Sequence, residues 1–263
     1  MASTMLPEGT LNGQTAIVTG GGSGIGLGIA QELGRLGARV VIAGRKREKL
    51  EAAKEALQRD GTQVLAIPTD IRDPEQVQAL VDQSVVETGR LDMLINSAAG
   101  NFVVDSEKLS VNGWNAVVNT VLNGTFYCTR ASGLKMMELG RGGRILSVVA
   151  SYAWTGGPKT VHSVAAKAGV VAMTRTLAVE WAHYGIRVNA ICPGPTDTEG
   201  ARPLWADPAE EQRLKAKIPV GRFGTVEEMG RAASYLLSPY ADFVNGEVFV
   251  IDGGEWLGKG LTS

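Results

Sequence analysis

Short apolar segments alternate with helix-length segments along almost the entire chain. The apolar segments have the length of buried strands. Seven strands are predicted, at 15–19, 39–43, 63–67, 93–96, 144–149, 187–192 and 248–251. Helices are predicted at about 25–36, 46–59, 74–87, 114–139, 161–183 and 226–236. This alternation is typical of a doubly wound α/β fold, in which a mostly parallel, seven-stranded sheet carries helices on both faces.

The organisation of the chain indicates one domain over residues 1–263, because no repeat, low-complexity tract or long linker divides it. Residues 195–222 interrupt the alternation and are rich in proline, glycine and charge. Substrate lids often follow the carboxyl end of a strand in this way. We predict a lid at about 195–222, and a plain surface loop with a short helix is the alternative.

The composition restricts the class of partner. The net charge is −1, and neither sign forms a block, so we expect neither nucleic acid nor a membrane surface as partner. No apolar run has the length of a membrane span and the N-terminus lacks signal-peptide features, so a cytoplasmic location is expected. Cys128 and Cys192 are expected to be buried free thiols. With His162 and His183 they show no metal-binding spacing, and no metal site is predicted.

A glycine-rich turn follows the first predicted strand. Thr19–Gly26 reads TGGGSGIG, and a helix is expected to begin at once. Glycines let the backbone turn sharply and approach a pyrophosphate at the positive end of that helix. In this strand–turn–helix setting the turn predicts dinucleotide binding by a Rossmann sheet. The expected contacts are Gly20, Gly22, Ser23, Gly24, Ile25 and Gly26.

The end of the second strand indicates which dinucleotide binds. Enzymes that use NAD generally place a carboxylate there, on the ribose hydroxyls. This chain has Gly44 followed by Arg45, whose guanidinium could hold a 2′-phosphate with charge-assisted bonds. Lys46 and Arg47 are expected to begin an exposed helix instead. The predicted cofactor is therefore NADPH, with Arg45 on the 2′-phosphate.

From about residue 12 to 257 the chain resembles the short-chain dehydrogenase/reductase family. The motifs that carry the resemblance are the glycine turn, Asp70, Asn96–Gly100, Ser163–Lys167, Pro193-Gly194 and Asp252–Gly254. The resemblance implies that Asp70 lies near the adenine and that Asn96 supports the cofactor pocket. It implies that Lys167 bonds the nicotinamide ribose and that a segment holds the carboxamide through Pro193, Gly194, Thr196 and Thr198. A homotetramer built on the two long helices is also implied.

The catalytic positions depart from the family pattern. The usual tyrosine, four residues before the lysine, is Ser163 here, and the usual serine and asparagine fall at Ala150 and Val121. Only Lys167 remains, so nothing would move the proton of an alcohol substrate. Either the site is inactive or another acid has replaced the tyrosine. Tyr152, just past the fifth predicted strand, is the candidate, and a packing role is its alternative.

A narrower resemblance, to bacterial 2,4-dienoyl-CoA reductases, favours an active site. It rests on Asn101-Phe102 after an Ala-Ala-Gly string, on 121–126, on Tyr152 with Ser163 and Lys167, and on 193–195 and 221–225. It implies NADPH-dependent reduction of a 2,4-dienoyl-CoA to an enoyl-CoA, an auxiliary step in the β-oxidation of unsaturated fatty acids. Tyr152 and Asn101 would donate to the thioester oxyanion, Lys167 would orient the nicotinamide ribose, and Ser163 would bond Lys167 or the substrate.

The same resemblance suggests substrate contacts, and two rival functions stay open. Phe102 and Ser110 match substrate-side positions, and Arg72, with Lys159 and Arg202, could face the phosphates of the acyl-CoA. One rival is a carbonyl reductase, for example of 3-oxoacyl thioesters, with Tyr152 as proton donor. The other is a catalytically silent NADPH-binding protein, because three of the four usual catalytic residues are replaced.

Overall fold

All seven predicted strands join one sheet in the computed structural model, which describes residues 5–257 apart from the side chain of Leu204. The strands are β1 (Thr15–Thr19), β2 (Arg39–Gly44), β3 (Val64–Pro68), β4 (Met93–Asn96), β5 (Gly143–Val148), β6 (Ile186–Pro193) and β7 (Val248–Ile251). Their bounds differ from the sequence prediction by at most one residue at each end. Short runs of β-branched and apolar residues were sufficient to predict these strands, because strands of a sheet that is covered on both faces are apolar along their whole length.

The order of the strands creates the binding edge. It is β3-β2-β1-β4-β5-β6-β7, and every neighbouring pair is parallel, so the predicted mostly parallel sheet is parallel throughout the described residues. Thr19 at the end of β1 lies opposite Asn96 at the end of β4. The chain runs outward through β2 and β3 and then crosses to β4, which opens a crevice between β1 and β4 at the carboxyl edge.

Helices cover both faces of the sheet. They are α1 (Gly24–Arg35), α2 (Arg47–Arg59), α3 (Pro74–Thr88), α4 (Val111–Val118), α5 (Gly124–Leu139), α6 (Tyr152–Thr155), α7 (Val161–Glu180), α8 (Pro208–Ala216) and α9 (Val226–Leu236). One core layer combines Val18 with α1, α2 and α9, and the other combines Ile17 with α3, α5 and α7. Neighbouring residues of one strand therefore serve opposite layers, as the period of two requires.

The helix predicted at about 114–139 is divided in two. A π-helical turn at Asn119–Asn123 separates α4 from α5. Gly124, the first residue of α5, packs so closely that a Cβ there would lie 2.7 Å from the side chain of Ile71. The wider turn brings Thr120 to the cavity described below. Such turns occur frequently at functional sites, and they leave no mark on the hydrophobic period.

Three further segments sharpen the sequence prediction. The helix predicted to reach residue 183 ends at Glu180, and a 3₁₀ turn, Ala182–Tyr184, completes the segment. Residues 195–222 contain a 3₁₀ turn at Arg202–Trp205 and the helix α8. The four-residue helix α6 was not expected, and it begins at Tyr152. Within residues 5–257 no helix is both long and apolar enough to cross a bilayer.

Candidate active site

The glycine turn leaves no room for side chains. Gly20 has φ +69°, and a Cβ there would lie 2.9 Å from the backbone of Ala98. A Cβ on Gly26 would lie 2.4 Å from the carbonyl oxygen of Gly20. Ser23 precedes α1 and makes no side-chain capping bond, so the first backbone N–H groups of the helix stay available to a ligand. The turn is a cradle that fits a pyrophosphate.

A cavity of about 470 Å³ extends from this cradle along the carboxyl edge of the sheet. The predicted cofactor residues on its wall are Gly20, Gly22, Ser23, Gly24, Ile25, Gly26, Arg45, Asp70, Lys167 and Thr198. The structure thus brings together the ends of β1, β2 and β3, a residue of α7 and the chain that follows β6.

Four predicted cofactor residues stand behind this wall and do not line it: Asn96, Pro193, Gly194 and Thr196. Gly194 donates its N–H to the carbonyl of Ile251, and the Thr196 hydroxyl donates to the carbonyl of Gly194 at 2.9 Å. These bonds fix the chain as it leaves β6.

The end of the cavity that lies beside β2 is basic. Arg45, Lys46 and Lys49 all line it, so Lys46 does not point away as the sequence suggested. Among the described residues no carboxylate lies within ion-pair distance of Arg45, which is exposed. Asp70 is instead bound by Arg72, whose guanidinium holds the pKa of this carboxyl below its usual range. Arg45 is therefore free to bind an anion.

Asn96, the last residue of β4, is hydrogen-bonded to the neighbouring strand β5 and to the helix α5. Its amide Nδ2 donates to the hydroxyls of Thr129 in α5 at 3.0 Å and of Ser147 in β5 at 3.4 Å. Its Oδ1 is buried and has no hydrogen-bond partner among the described residues. Because buried polar atoms are rarely left unpaired, this oxygen marks the place where a water or a ligand group would be bonded.

Lys167 and Ser163 lie one helical turn apart on α7, with Tyr152 beside them. The hydroxyls of Tyr152 and Ser163 form a hydrogen bond of 3.0 Å. Burial raises the pKa of the Tyr152 phenol, and the Ser163 bond opposes that rise only in part. The phenol therefore stays protonated near neutral pH and can donate.

The Lys167 ammonium is held at the cavity by one backbone group. Its Nζ donates to the carbonyl of Val148, the last residue of β5, which leaves its other protons for a ligand. Burial lowers the pKa of Lys167 from 10.5 to about 8. Burial also raises the pKa of the nearby Cys192 thiol to about 12, so that thiol is neutral and adds no charge. Cys192 and Cys128 are both free and buried, as predicted.

The remaining predicted residues lie on the loop between β4 and α4. The Asn101 Oδ1 accepts from the backbone N–H of Phe102 at 2.9 Å, which leaves the Nδ2 group available as a donor. The Phe102 ring stacks on His162, with centroids 4.5 Å apart. Ser110 caps α4, since its hydroxyl accepts from the N–H of Gly113. Within residues 5–257 no hydrogen bond joins Asn101 to Tyr152.

The three basic residues suggested for acyl-CoA phosphates are already paired. Arg72 bonds Asp70, Lys159 lies 3.3 Å from Asp105, and Arg202 bonds Asp197 at 3.0 Å. A phosphate would have to share these cations with their carboxylates or displace them.

Several wall residues were not expected from the sequence: Lys46, Lys49, Leu50, Thr69, Ile71, Ser97, Ala98, Ala99, Thr120, Val148 and Gly200. Lys49 could have been found, because it lies in the first turn of α2, which begins two residues after Arg45. Its ammonium lies 3.2 Å from Glu199, which links α2 to the predicted lid. Thr120 depends on the π-helical turn and Val148 acts through its backbone, so neither leaves a signal in the sequence.

The fold and this cavity define a class of protein, the dinucleotide-dependent oxidoreductases with a Rossmann sheet. Among the described residues no group of three or more His, Cys, Asp or Glu side chains could hold a metal ion.

Comparison with known proteins narrows the class. The family described as enoyl-(acyl carrier protein) reductase matches residues 20–255. A Bacillus subtilis relative, named "probable 2,4-dienoyl-CoA reductase, (2E)-enoyl-CoA-producing", is 45% identical over 93% of this chain and 97% of its own length. A solved short chain dehydrogenase from Bacillus anthracis is 48% identical with a TM-score of 0.86, over 93% of this chain and 97% of that one. An actinorhodin polyketide ketoreductase solved with NADPH is 32% identical with a TM-score of 0.87, over 92% and 97%. This chain belongs to the short-chain dehydrogenase/reductase family.

Proposed function

We propose that this protein reduces 2,4-dienoyl-CoA thioesters to enoyl-CoA with NADPH. One observation carries the proposal: the phenol of Tyr152 is hydrogen-bonded at 3.0 Å to Ser163, the residue in place of the family's usual tyrosine. A protonated phenol therefore sits at the lysine-bearing face of α7 although the usual acid is missing. The name of the Bacillus subtilis relative supports the substrate class.

NADPH fits the residues present. The cradle around Gly20 and Gly26 suits the pyrophosphate. Arg45 has no competing carboxylate among the described residues and would take the 2′-phosphate. Lys167 would bond the nicotinamide ribose with the protons not used by Val148. When bound, NADPH supplies a hydride for the δ-carbon of the dienoyl group. The solved ketoreductase with NADPH supports this cofactor choice.

The missing tyrosine has a physical explanation on this proposal. Reduction of a conjugated C=C at the δ-carbon sends negative charge along the chain to the thioester oxygen. Donors are then needed at that oxygen, several bonds from the reduced carbon. The Tyr152 hydroxyl and the Asn101 Nδ2–H would each donate a hydrogen bond to this oxygen, while Ser163 would orient the phenol through their hydrogen bond. Uptake of a proton at a carbon of the dienolate would then give the enoyl-CoA. The buried Lys167 ammonium would add positive charge nearby.

The same proposal includes contacts to the substrate. Phe102 is half-exposed beside the buried His162 and offers an apolar face to the acyl chain. Ser110 would have to combine substrate binding with its capping bond to Gly113. Arg72 would have to bind a phosphate while it remains paired with Asp70.

We extend the proposal to the lid at 195–222 within a single domain. Thr198 and Gly200 of this segment line the cofactor cavity, and Glu199 pairs with Lys49 across its mouth. The segment would close over both ligands after they bind.

A homotetramer and a cytoplasmic location complete the proposal. The long helices α5 and α7 expose Phe126, Leu134 and Val179, apolar residues that a neighbouring subunit could cover. Light scattering on the purified protein tests the assembly, and a monomer would refute it.

The test of the function is oxidation of NADPH, and separately of NADH, by the purified protein with two acyl-CoA substrates. A 2,4-dienoyl-CoA should be reduced, a 3-oxoacyl-CoA should not, and NADH should be a poor replacement for NADPH. Turnover of only the 3-oxoacyl-CoA would favour the carbonyl reductase, and NADPH binding without turnover of either would favour the silent protein. Mass spectrometry of the product should show the gain of two hydrogens.

A further inference from the structure

Three contacts join the loop that carries Asn101 to the residues around the start of α7. The N–H of Val104 donates to the carbonyl of Lys159 at 3.0 Å. The Lys159 ammonium lies 3.3 Å from the Asp105 carboxylate. The Phe102 ring stacks on that of His162. We call these three contacts the clamp.

Lys159 has an unusual backbone for its residue type. Its φ is +63°, and it is the only residue other than glycine with a positive φ among residues 5–257. A side chain with a Cβ is disfavoured in the left-handed region, where glycine would be relaxed. The conformation accompanies the bond from Val104 to its carbonyl, and the side chain pairs with the same loop through Asp105. The backbone carbonyl and the ammonium of Lys159 therefore both hold the loop that carries Asn101.

His162 also makes an uncommon contact. The ring is fully buried, and neither nitrogen has a hydrogen-bond partner among the described residues. A buried unpaired polar atom is unfavourable, so hydrogen bonding does not account for this residue. What the ring does provide is a flat face on which Phe102 stacks at 4.5 Å.

We propose that the clamp positions Asn101 relative to Tyr152, with Lys159 as its principal positioning residue; this rests on the proposed function. The side chain of Asn101 is exposed, and within residues 5–257 its one hydrogen bond is to the next residue along the chain, Phe102. Its location is therefore set by whatever holds residues 102–105. The clamp holds them on the segment that runs from Tyr152 to Ser163. Two donors to one oxyanion, on separate loops, are thereby kept at a fixed spacing.

The clamp is tested by comparing Lys159→Met with Lys108→Met. Both lysines pair with the Asp105 carboxylate, but Lys108 lies within the same loop and makes no link to α7. We expect Lys159→Met to lower kcat for the dienoyl-CoA about tenfold, since a displacement of about 1 Å can cost about 10². KM for NADPH should stay unchanged, and Lys108→Met should behave as the unmutated protein. A rise in KM for the acyl-CoA with kcat intact would make Lys159 a substrate contact and overturn the proposal.

A double variant separates positioning from other effects. If Lys159 acts only through Asn101, Lys159→Met should cause no further loss in an Asn101→Ala background. The same tenfold loss in both backgrounds would overturn the proposal. His162→Phe should retain kcat because it keeps a flat ring against Phe102, whereas His162→Ala should lower it.

Hydrogen exchange tests the clamp without activity. Peptides covering 101–105 should exchange faster in Lys159→Met than in Lys108→Met. Without the ion pair to Asp105, the hydrogen bond from the Val104 N–H to the carbonyl of residue 159 should open more often. Equal exchange would overturn the clamp. If the unmutated protein reduces no dienoyl-CoA, the proposed function fails, and the exchange result still decides whether the two loops are clamped.

Discussion

The two halves of the site are built in different ways. The cofactor half consists of strand ends and the start of α1, and at Gly20 and Gly26 the backbone leaves no space for a Cβ. The substrate half consists of an exposed loop with Asn101, a helix of four residues that begins at Tyr152, and the predicted lid. The geometry of the first half is fixed because backbone segments lie in close contact there. The geometry of the second half is fixed by a few contacts, most of which involve side chains. Chemistry can change in the second half while the fold and the cofactor site stay the same.

Lys167 belongs to both halves, so its loss should have the largest effect. Lys167→Ala removes the proposed ribose contact and a buried positive charge, and we expect kcat/KM to fall by about 10³ or more. About tenfold of this comes from the lost charged bond and about 10² from the lost electrostatic stabilisation. Steady-state kinetics with varied NADPH measures both parts. Lys54→Ala, on the outer side of α2, is the control, and a similar loss there would mean that the assay reports damage to the fold.

Asn101→Ala tests the substrate half alone. Loss of one oxyanion donor generally lowers kcat by about 10²–10³, while KM for NADPH should not change. Stopped-flow measurement of hydride transfer at saturating NADPH gives the rate directly. Asn115→Ala, an exposed asparagine on α4, should be neutral. If Asn101→Ala weakened NADPH binding instead, the separation of the two halves would be wrong.

Arg45→Ala tests the cofactor half alone. Removing a charge-assisted contact to the 2′-phosphate costs about 1.5–3 kcal/mol, or roughly tenfold to a hundredfold in affinity for NADPH. Affinity for NADH should be nearly unchanged, as should kcat. Fluorescence titration of both cofactors measures this, with the exposed Arg47→Ala as the matched control. Equal affinity of the unmutated protein for NADPH and NADH would contradict the role of Arg45.

The pH dependence should be the smallest effect. Because burial lowers the pKa of Lys167 to about 8, its ammonium is charged at pH 7 and mostly neutral at pH 9. We expect kcat/KM to fall about tenfold over that interval, in a pH profile of the unmutated protein. Between pH 8 and 10.5 the unfolded chain retains this proton and the folded chain does not, so the contribution of Lys167 to stability rises with pH. If kcat/KM did not change up to pH 9, the catalytic positive charge would not be the ammonium of Lys167.

More of the cofactor half than of the substrate half could be predicted from the sequence. The ends of the strands and the glycine turn follow from local composition, and Arg45 stands at the expected wall. The division of the helix at Asn119–Asn123 could not be predicted, because a single π-helical turn leaves no mark on the hydrophobic period. The pairing of Arg72 with Asp70 depends on loop geometry and was missed in the same way.

For the substrate half, the sequence indicated which residues take part but not how far apart they lie. The resemblance to dienoyl-CoA reductases singled out Tyr152, Ser163 and Asn101, and only the structure joins the first two at 3.0 Å. The link from the Asn101 loop to Lys159 involves a backbone carbonyl in a left-handed conformation, for which no residue pattern exists.

The measurement that tests the account most directly is dienoyl-CoA-dependent NADPH oxidation by Tyr152→Phe. This change deletes one hydroxyl and keeps the ring, so thermal unfolding, followed in parallel, should change little. We expect kcat of Tyr152→Phe to fall by about 10²–10³ and KM for NADPH to stay the same. Ser163→Ala should cause a smaller loss of kcat. A normally folded Tyr152→Phe protein that turns over at the unmutated rate would contradict the central claim.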